Sequence, residues 1–289
     1  MRSLIILLVL SVFGTLAAQE KVVLFPNGAP GEKIALTEKD DYSGPEVGGM
    51  PVLRKTNVSV PEIVVYPVEN AAGKSPAMVV CPGGGYGILA YDMEGTEVCS
   101  WLNSIGVTAV LLKYRVPRRE GLPKHAAPLQ DVQRALSYIR FHADEWEINS
   151  EQIGVMGFSA GAHLSVMAST SFEHRTYEAV DEADSVCCRP DFCLLVYPAY
   201  LSGENFSLSQ EVKVTEKVPP TMMVQAEDDH WFIDSSLFYY YALKQKKVPA
   251  WLHVYSSGGH GYGIRNTGHQ VNEWPQRAAD WFRELHLIP

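Results

Sequence analysis

Short, continuous apolar runs recur along the chain, and between them lie segments whose apolar residues return every three or four positions. The runs are Pro76–Cys81 (PAMVVC), Val107–Tyr114 (VTAVLLKY), Ile153–Gly157 (IGVMG), Phe192–Tyr197 (FCLLVY), Thr221–Gln225 (TMMVQ) and Ala250–Tyr255 (AWLHVY). A run of this length without polar alternation suits a strand covered on both faces. Between them, Val98, Trp101, Leu102 and Ile105 share one helical face, and Leu129, Val132, Leu136 and Ile139 share another. Ala160–Ser169, Asp234–Lys246 and Val271–Leu285 also read as helices, the last with Trp274, Ala278, Trp281 and Leu285 at helical spacing. Such alternation builds βα units, which assemble into a mostly parallel central sheet flanked by helices. Asn57–Val68 reads as extended, with Pro61 favouring an edge.

Parallel sheets gather their chemistry at the carboxyl ends of the strands. Just past the Ile153 run comes Gly157-Phe158-Ser159-Ala160-Gly161. This Gly-x-Ser-x-Gly sits in the strand–turn–helix context that raises a nucleophile above the sheet edge. The flanking glycines permit the sharp turn, and the helix start offers free N–H groups to a developing oxyanion. Past the last strand, glycines surround His260 in Gly258–Gly263 and let it bend over the serine as general base. His163, four residues after Ser159, is a decoy whose placement on the helix points it away from the turn's tip. After the Thr221 run, Glu227-Asp228-Asp229-His230 offers the carboxylate that orients the imidazole. Asp229 is preferred and Asp228 is the alternative. After the Pro76 run, Pro82–Gly87 (PGGGYG) lets backbone N–H groups crowd toward a substrate oxygen. Gly84 and Gly85, with Ala160, are the candidate oxyanion donors. Tyr86, Tyr91, Trp231 and Tyr262 stand near these loops as aromatics that could stack on a sugar ring.

The first residues read as an address. Arg2, the apolar run Leu4–Phe13 and small residues at Thr15 and Ala17 describe a signal peptide over 1–17, cleaved before Ala18. The protein is therefore expected to be exported, periplasmic or extracellular, and not stably inserted in a membrane. Residues 18–56, polar and Gly/Pro-rich, are expected as an N-terminal surface arm, and 57–289 as the catalytic domain. Five cysteines leave at least one unpaired. Cys187 with Cys193, or Cys188 with Cys193, could bridge, and the sequence does not choose. Net charge −9 without a Lys/Arg cluster argues against nucleic acid. No HExxH, EF-hand or paired CxxC pattern calls for a metal, and no cofactor is expected.

Several stretches together resemble the α/β-hydrolase superfamily, and within it a bacterial group of secreted carbohydrate esterases, acetylxylan-esterase-like or feruloyl-esterase-like. They are CPGGGYG (81–87), KYRVP (113–117), APLQDVQRALSYIR (127–140), IGVMGFSAGAHL (153–164), RPDFCLLVYPAY (189–200), PPTMMVQAEDDH (219–230) and HVYSSGGHGYG (253–263). Two positions depart from the group's usual pattern: His230 stands where Pro commonly follows the acid, and Ala162 where a second Gly is frequent. The resemblance implies an α/β-hydrolase fold and a Ser159–His260–Asp229 esterase removing small acyl groups, acetyl above all, from sugars such as xylan or xylo-oligosaccharides. The polar segments 169–191 and 201–217 are expected to rim the pocket and are too short for a large lid, which counts against a lipase. Arg115 and His125 recur in the resemblance and receive no role. The alternatives are a general carboxylesterase, a prolyl-type peptidase of the same fold, and a non-catalytic carbohydrate-binding protein. About 60 residues before the sheet are too few for the propeller such peptidases commonly carry.

Overall fold

The computed structural model describes residues 20–289 apart from Ile34, Asn70 and Ala72. The expected signal peptide lies outside the described residues. In chain order the strands are β1 (Glu20–Val23), β2 (Lys39–Asp41), β3 (Arg54–Thr56), β4 (Glu62–Tyr66), β5 (Ser75–Cys81), β6 (Leu89–Ala90), β7 (Thr108–Lys113), β8 (Ile148–Phe158), β9 (Cys193–Val196), β10 (Ser202–Gly203), β11 (Ser207–Leu208), β12 (Thr221–Ala226) and β13 (Ala250–Tyr255). The α-helices are α1 (Glu97–Ser104), α2 (Ala126–Phe141), α3 (Ala160–Thr170), α4 (Ile233–Gln245) and α5 (Trp274–Glu284). No helix among the described residues is long and apolar enough to cross a membrane.

Eight strands form one sheet in the order β1-β4-β7-β5-β8-β9-β12-β13. From β7 onward every neighbouring pair is parallel, and β4 and β1 add an antiparallel edge. Alternate residues of each strand face opposite layers. Ala77, Val79 and Cys81 pack with α2, α3 and α4 residues such as Leu136, Leu164 and Tyr239. Met78 and Val80 pack with α1 and α5 residues such as Leu102, Trp281 and Phe282. Both faces are thus covered, which is why these strands read as unbroken apolar runs. Truncating the buried Trp281 to Ala would cost about 3–5 kcal/mol through the cavity it leaves.

The sheet places the loops that matter side by side. Register pairs Cys81 with Gly157 and Phe158 with Val196, so the segments after β5, β8 and β9 leave the sheet at nearly one level. Arg115 lies just past β7, 1% exposed, and is paired with the fully buried Asp131 at 2.8 Å. It also donates to the carbonyls of Pro30 and Ala127 and so braces α2 against the sheet.

Three expectations need correction. The segment 18–56 is not simply a surface arm: β1 pairs with β4 in the main sheet, and β3 pairs with β6 across the expected boundary at 56/57. Backbone pairing holds β1, whose side chains are mostly exposed and so leave no hydropathic signal. Within the extended reading of Asn57–Val68, only Glu62–Tyr66 is strand. Finally, 169–191 does not rim the Ser159 end of the sheet. α3 carries the chain eleven residues, about 16 Å, away from Ser159. The segment then lies along α2, where Gln133 donates to the Ser171 carbonyl and Arg134 pairs with Asp181.

Candidate active site

Ser159 follows β8 directly, with φ 51° and ψ −115°. Few non-glycine residues adopt such a conformation, which costs about 1–3 kcal/mol. The turn closes because its flanks lack side chains. A Cβ on Gly157 would lie 2.2 Å from the Gly161 backbone, and one on Gly161 2.0 Å from the Cys81 carbonyl oxygen.

The structure brings Ser159, His260 and Asp229 together. Ser159 Oγ is 2.8 Å from His260 Nε2, and His260 Nδ1 is 2.7 Å from Asp229 Oδ2. A carboxylate only accepts, so Nδ1 carries the proton and Nε2 is left to accept from the Ser159 hydroxyl. Asp229 is 3% exposed. Gln225 Nε2 donates to its Oδ2 at 2.8 Å, and Ser236 Oγ holds Gln225 in turn at 2.9 Å. Asp228 goes elsewhere: it accepts the amides of Gly259 at 2.8 Å and Gly258 at 3.2 Å. Those amide bonds, Gly259 first, hold its carboxyl below the usual range. One acid thus fixes the imidazole, and its neighbour fixes the loop that carries it.

Among the described residues, the amides of Gly84, Gly85 and Ala160 donate to no protein acceptor. The loop is crowded at its centre: Gly84 has φ 129°, and a Cβ there would lie 2.2 Å from the Ile88 carbonyl oxygen. Gly83 differs, since its amide donates to Glu94 Oε2 at 2.6 Å. Glu94 is 3% exposed, and burial pushes its carboxyl up despite hydrogen bonds from Tyr197 and Gly83. Neither Glu94 nor Tyr197 stood out in the sequence. Glu94 belongs to no motif, and Tyr197 is merely the last residue of an apolar run.

The expected stacking aromatics separate. Tyr86 is fully buried, with its hydroxyl 2.8 Å from His163 Nδ1. Tyr262 is 2% exposed and packs edge-on against Tyr197, centroids 4.4 Å apart. Both rings are buried, so neither presents a face to a sugar. Tyr91 is half-buried beneath Lys55 Nζ, 5.0 Å from its centroid. Trp231 is 81% exposed, two residues past Asp229. Instead, Phe232 packs on the His260 ring at 4.9 Å and Tyr200 packs on Phe232 at 5.5 Å. The five thiols are free: Cys187 is exposed and the other four are buried.

The His163 ring is engaged away from the Ser159 hydroxyl. Its Nε2 donates to Glu211 Oε1 at 2.9 Å, and this bond holds the Glu211 carboxyl down to about 2. Among the described residues, the ligand atoms of His125, His163 and Glu211 lie within 4.8 Å of one another, a spacing that could hold a metal ion. Both His163 nitrogens are already hydrogen-bonded, however, and the Lys124 ammonium stands 3.8 Å from Glu211. A cation would have to dismantle these contacts.

A family model described as BD-FAE matches residues 63–188, and one described as the prolyl oligopeptidase family matches residues 197–286. The chain is 28% identical over 249 residues to an acetylxylan esterase of Xylanibacter ruminicola, covering 78% of this chain and 48% of that protein. It is 29% identical over 229 residues to endo-1,4-beta-xylanase B of Butyrivibrio fibrisolvens, covering 72% and 35%. It therefore spans about half and about a third of these two relatives. Among solved structures, an acetyl ester-xyloside bifunctional hydrolase from Caldicellulosiruptor lactoaceticus is 30% identical, with a TM-score of 0.75 over 93% of this chain and 97% of that one.

Proposed function

The chain belongs to the α/β-hydrolase superfamily, and on that premise we propose that it is a serine esterase removing short acyl groups, acetyl above all, from xylan or xylo-oligosaccharides. The observation that carries the chemistry is the continuous contact from Ser159 Oγ through His260 to Asp229, 2.8 Å and 2.7 Å. His260 Nε2 takes the Ser159 proton as Oγ attacks the ester carbonyl. The amides of Gly84, Gly85 and Ala160 receive the oxyanion. His260 then returns the proton to the departing sugar oxygen, leaving an acyl-serine. Water, losing its proton to the same imidazole, attacks that ester and frees the acid and Ser159.

The substrate class leans on the relatives named for acetylxylan and acetyl ester-xyloside hydrolysis. The match of residues 197–286 to the prolyl oligopeptidase family keeps a peptidase, or a general carboxylesterase, as the second reading. Export after cleavage before Ala18 belongs to the proposal and rests on Arg2 and the Leu4–Phe13 run. N-terminal sequencing of the protein from a secreting host checks it. The deciding assay is acetate release from acetylated xylo-oligosaccharides by the wild-type chain and by Ser159→Ala, with an aryl acetate alongside. Release from both substrates that vanishes in the variant is expected. Aryl ester turnover without sugar deacetylation would discard the xylan reading and keep the esterase.

A further inference from the structure

Beside the Gly84–Gly85 amides stands a second group of polar side chains that the acyl-transfer steps do not use. Tyr200 reaches the loop with its hydroxyl, 3.6 Å from where a Cβ on Gly85 would lie. Through Phe232 the same ring connects to His260. Lys124 Nζ lies 4.3 Å from the Tyr200 centroid. Glu211 faces Lys124 from the segment after β11, with Oε1 already fixed by His163 Nε2 at 2.9 Å. Lys124 and Glu211 are each 30% exposed.

The spacing inside this group is the informative part. Lys124 Nζ is 3.8 Å from Glu211 Oε1, and His125 Nδ1 is 3.6 Å from Glu211 Oε2. Both separations exceed a hydrogen bond. His125 Nδ1 is buried and makes no hydrogen bond. An ammonium that only donates and a carboxylate that only accepts, ion-paired at 3.8 Å without a direct hydrogen bond and both partly exposed, match a group that does both. A hydroxyl accepts from Lys124 and donates to Glu211. An ionised carboxylate ligand has no proton to give Glu211, a phosphate is repelled by the Glu211 charge, and a cationic ligand is repelled by Lys124.

We propose that Lys124, Glu211 and Tyr200 form a hydroxyl-binding subsite for the sugar that carries the ester. One sugar hydroxyl bridges Lys124 and Glu211, and the Tyr200 hydroxyl binds a neighbouring one. The proposal rests on the carbohydrate-ester reading above. Its residues are preset, since His163 holds Glu211 and the Tyr200 ring carries the Lys124 ammonium. A site built to hydrogen-bond a substrate hydroxyl discriminates strongly against substrates that lack it.

The test compares the wild-type chain with Lys124→Met and Lys124→Arg, after thermal melts confirm that all three fold. The readout is kcat/KM on acetylated xylo-oligosaccharide divided by kcat/KM on an aryl acetate. Lys124→Met is expected to lower this ratio about ten- to hundredfold, the loss of one charged hydrogen bond, with partial recovery in Lys124→Arg. In parallel, calorimetry measures unacetylated xylotriose binding to Ser159→Ala with and without Lys124→Met, and a matching loss of affinity is expected. An unchanged ratio in a chain that deacetylates the sugar overturns the subsite and leaves the esterase reading standing. A wild-type chain that hydrolyses aryl acetate but neither deacetylates nor binds the sugar overturns both. Lys124-dependent xylotriose binding without deacetylation keeps the subsite and removes the esterase assignment on that sugar.

Discussion

The hydroxyl of Tyr197 donates to the Glu94 carboxylate across a buried hydrogen bond of 2.7 Å. The same hydroxyl accepts the Gly263 amide at 2.9 Å, and the other Glu94 oxygen accepts the Gly83 amide at 2.6 Å. Two side chains thereby tie the loop of the Gly84 and Gly85 amides to the loop that carries His260. In Glu94→Gln one acceptor becomes an NH2 group that cannot accept from Gly83 or Tyr197. Glu94→Gln and Tyr197→Phe are each expected to lower kcat about ten- to hundredfold with little change in KM, because the donors lose their aim. Steady-state kinetics on an aryl acetate measures this. An unchanged kcat in folded variants would remove the bracing role.

The two neighbouring acids should separate cleanly by mutation. Asp229→Asn is expected to lower kcat about 10⁴-fold, because the amide no longer holds His260 in the working tautomer. Asp228→Asn breaks contacts to the Gly258 and Gly259 amides and should cost activity about tenfold or less, with a lower melting temperature. Finding the larger kinetic loss at Asp228 would reverse their assignments.

Removing the Ser159 hydroxyl should lower kcat about 10⁴–10⁶-fold whichever residue replaces it. Stability should distinguish the replacements. Alanine keeps a Cβ at φ 51°, whereas glycine adopts this conformation without strain. Ser159→Gly is therefore expected to exceed Ser159→Ala by about 1 kcal/mol in denaturant unfolding, despite its freer unfolded chain. Equal stabilities would mean the turn stores no strain at this residue.

Acid should weaken the fold through the cluster beside α2. Burial, with His163 adding to it, holds His125 down to about 4 from an ordinary 6.5. The unfolded chain then binds more protons between these values, so stability falls as pH drops through that window. Glu211, held down to about 2 from 4.5, adds a second loss below pH 4.5. Melting temperature should decline from pH 7 to 4, and His125→Gln should flatten that stretch. An equally steep variant curve would exclude His125 as the source.

The parallel core was legible because its strands are apolar on both faces. Ala250–Tyr255 has the same bounds in both readings, and β5 differs by one residue. Ser159 and His260 were legible because glycine spacing marks sharp turns, and the acidic loop because it directly follows the Thr221 strand. β1 was not, since it pairs with β4 through the backbone and its side chains are mostly exposed. Tyr86 and Tyr262 misled for a related reason: an aromatic beside a glycine loop reads the same whether it points out or in. Glu94 and Tyr197 act through contact over 103 positions of sequence, which no local pattern records.

The four residues of β1 have a further consequence. They are the outermost strand of an eight-stranded sheet and cover the free edge of β4. Any processing that trims the chain past Val23 would bare a row of unpaired N–H and C=O groups running along Glu62 to Val65. Such an edge templates pairing with other chains. Clipped molecules would keep every residue around Ser159 and yet be prone to self-association.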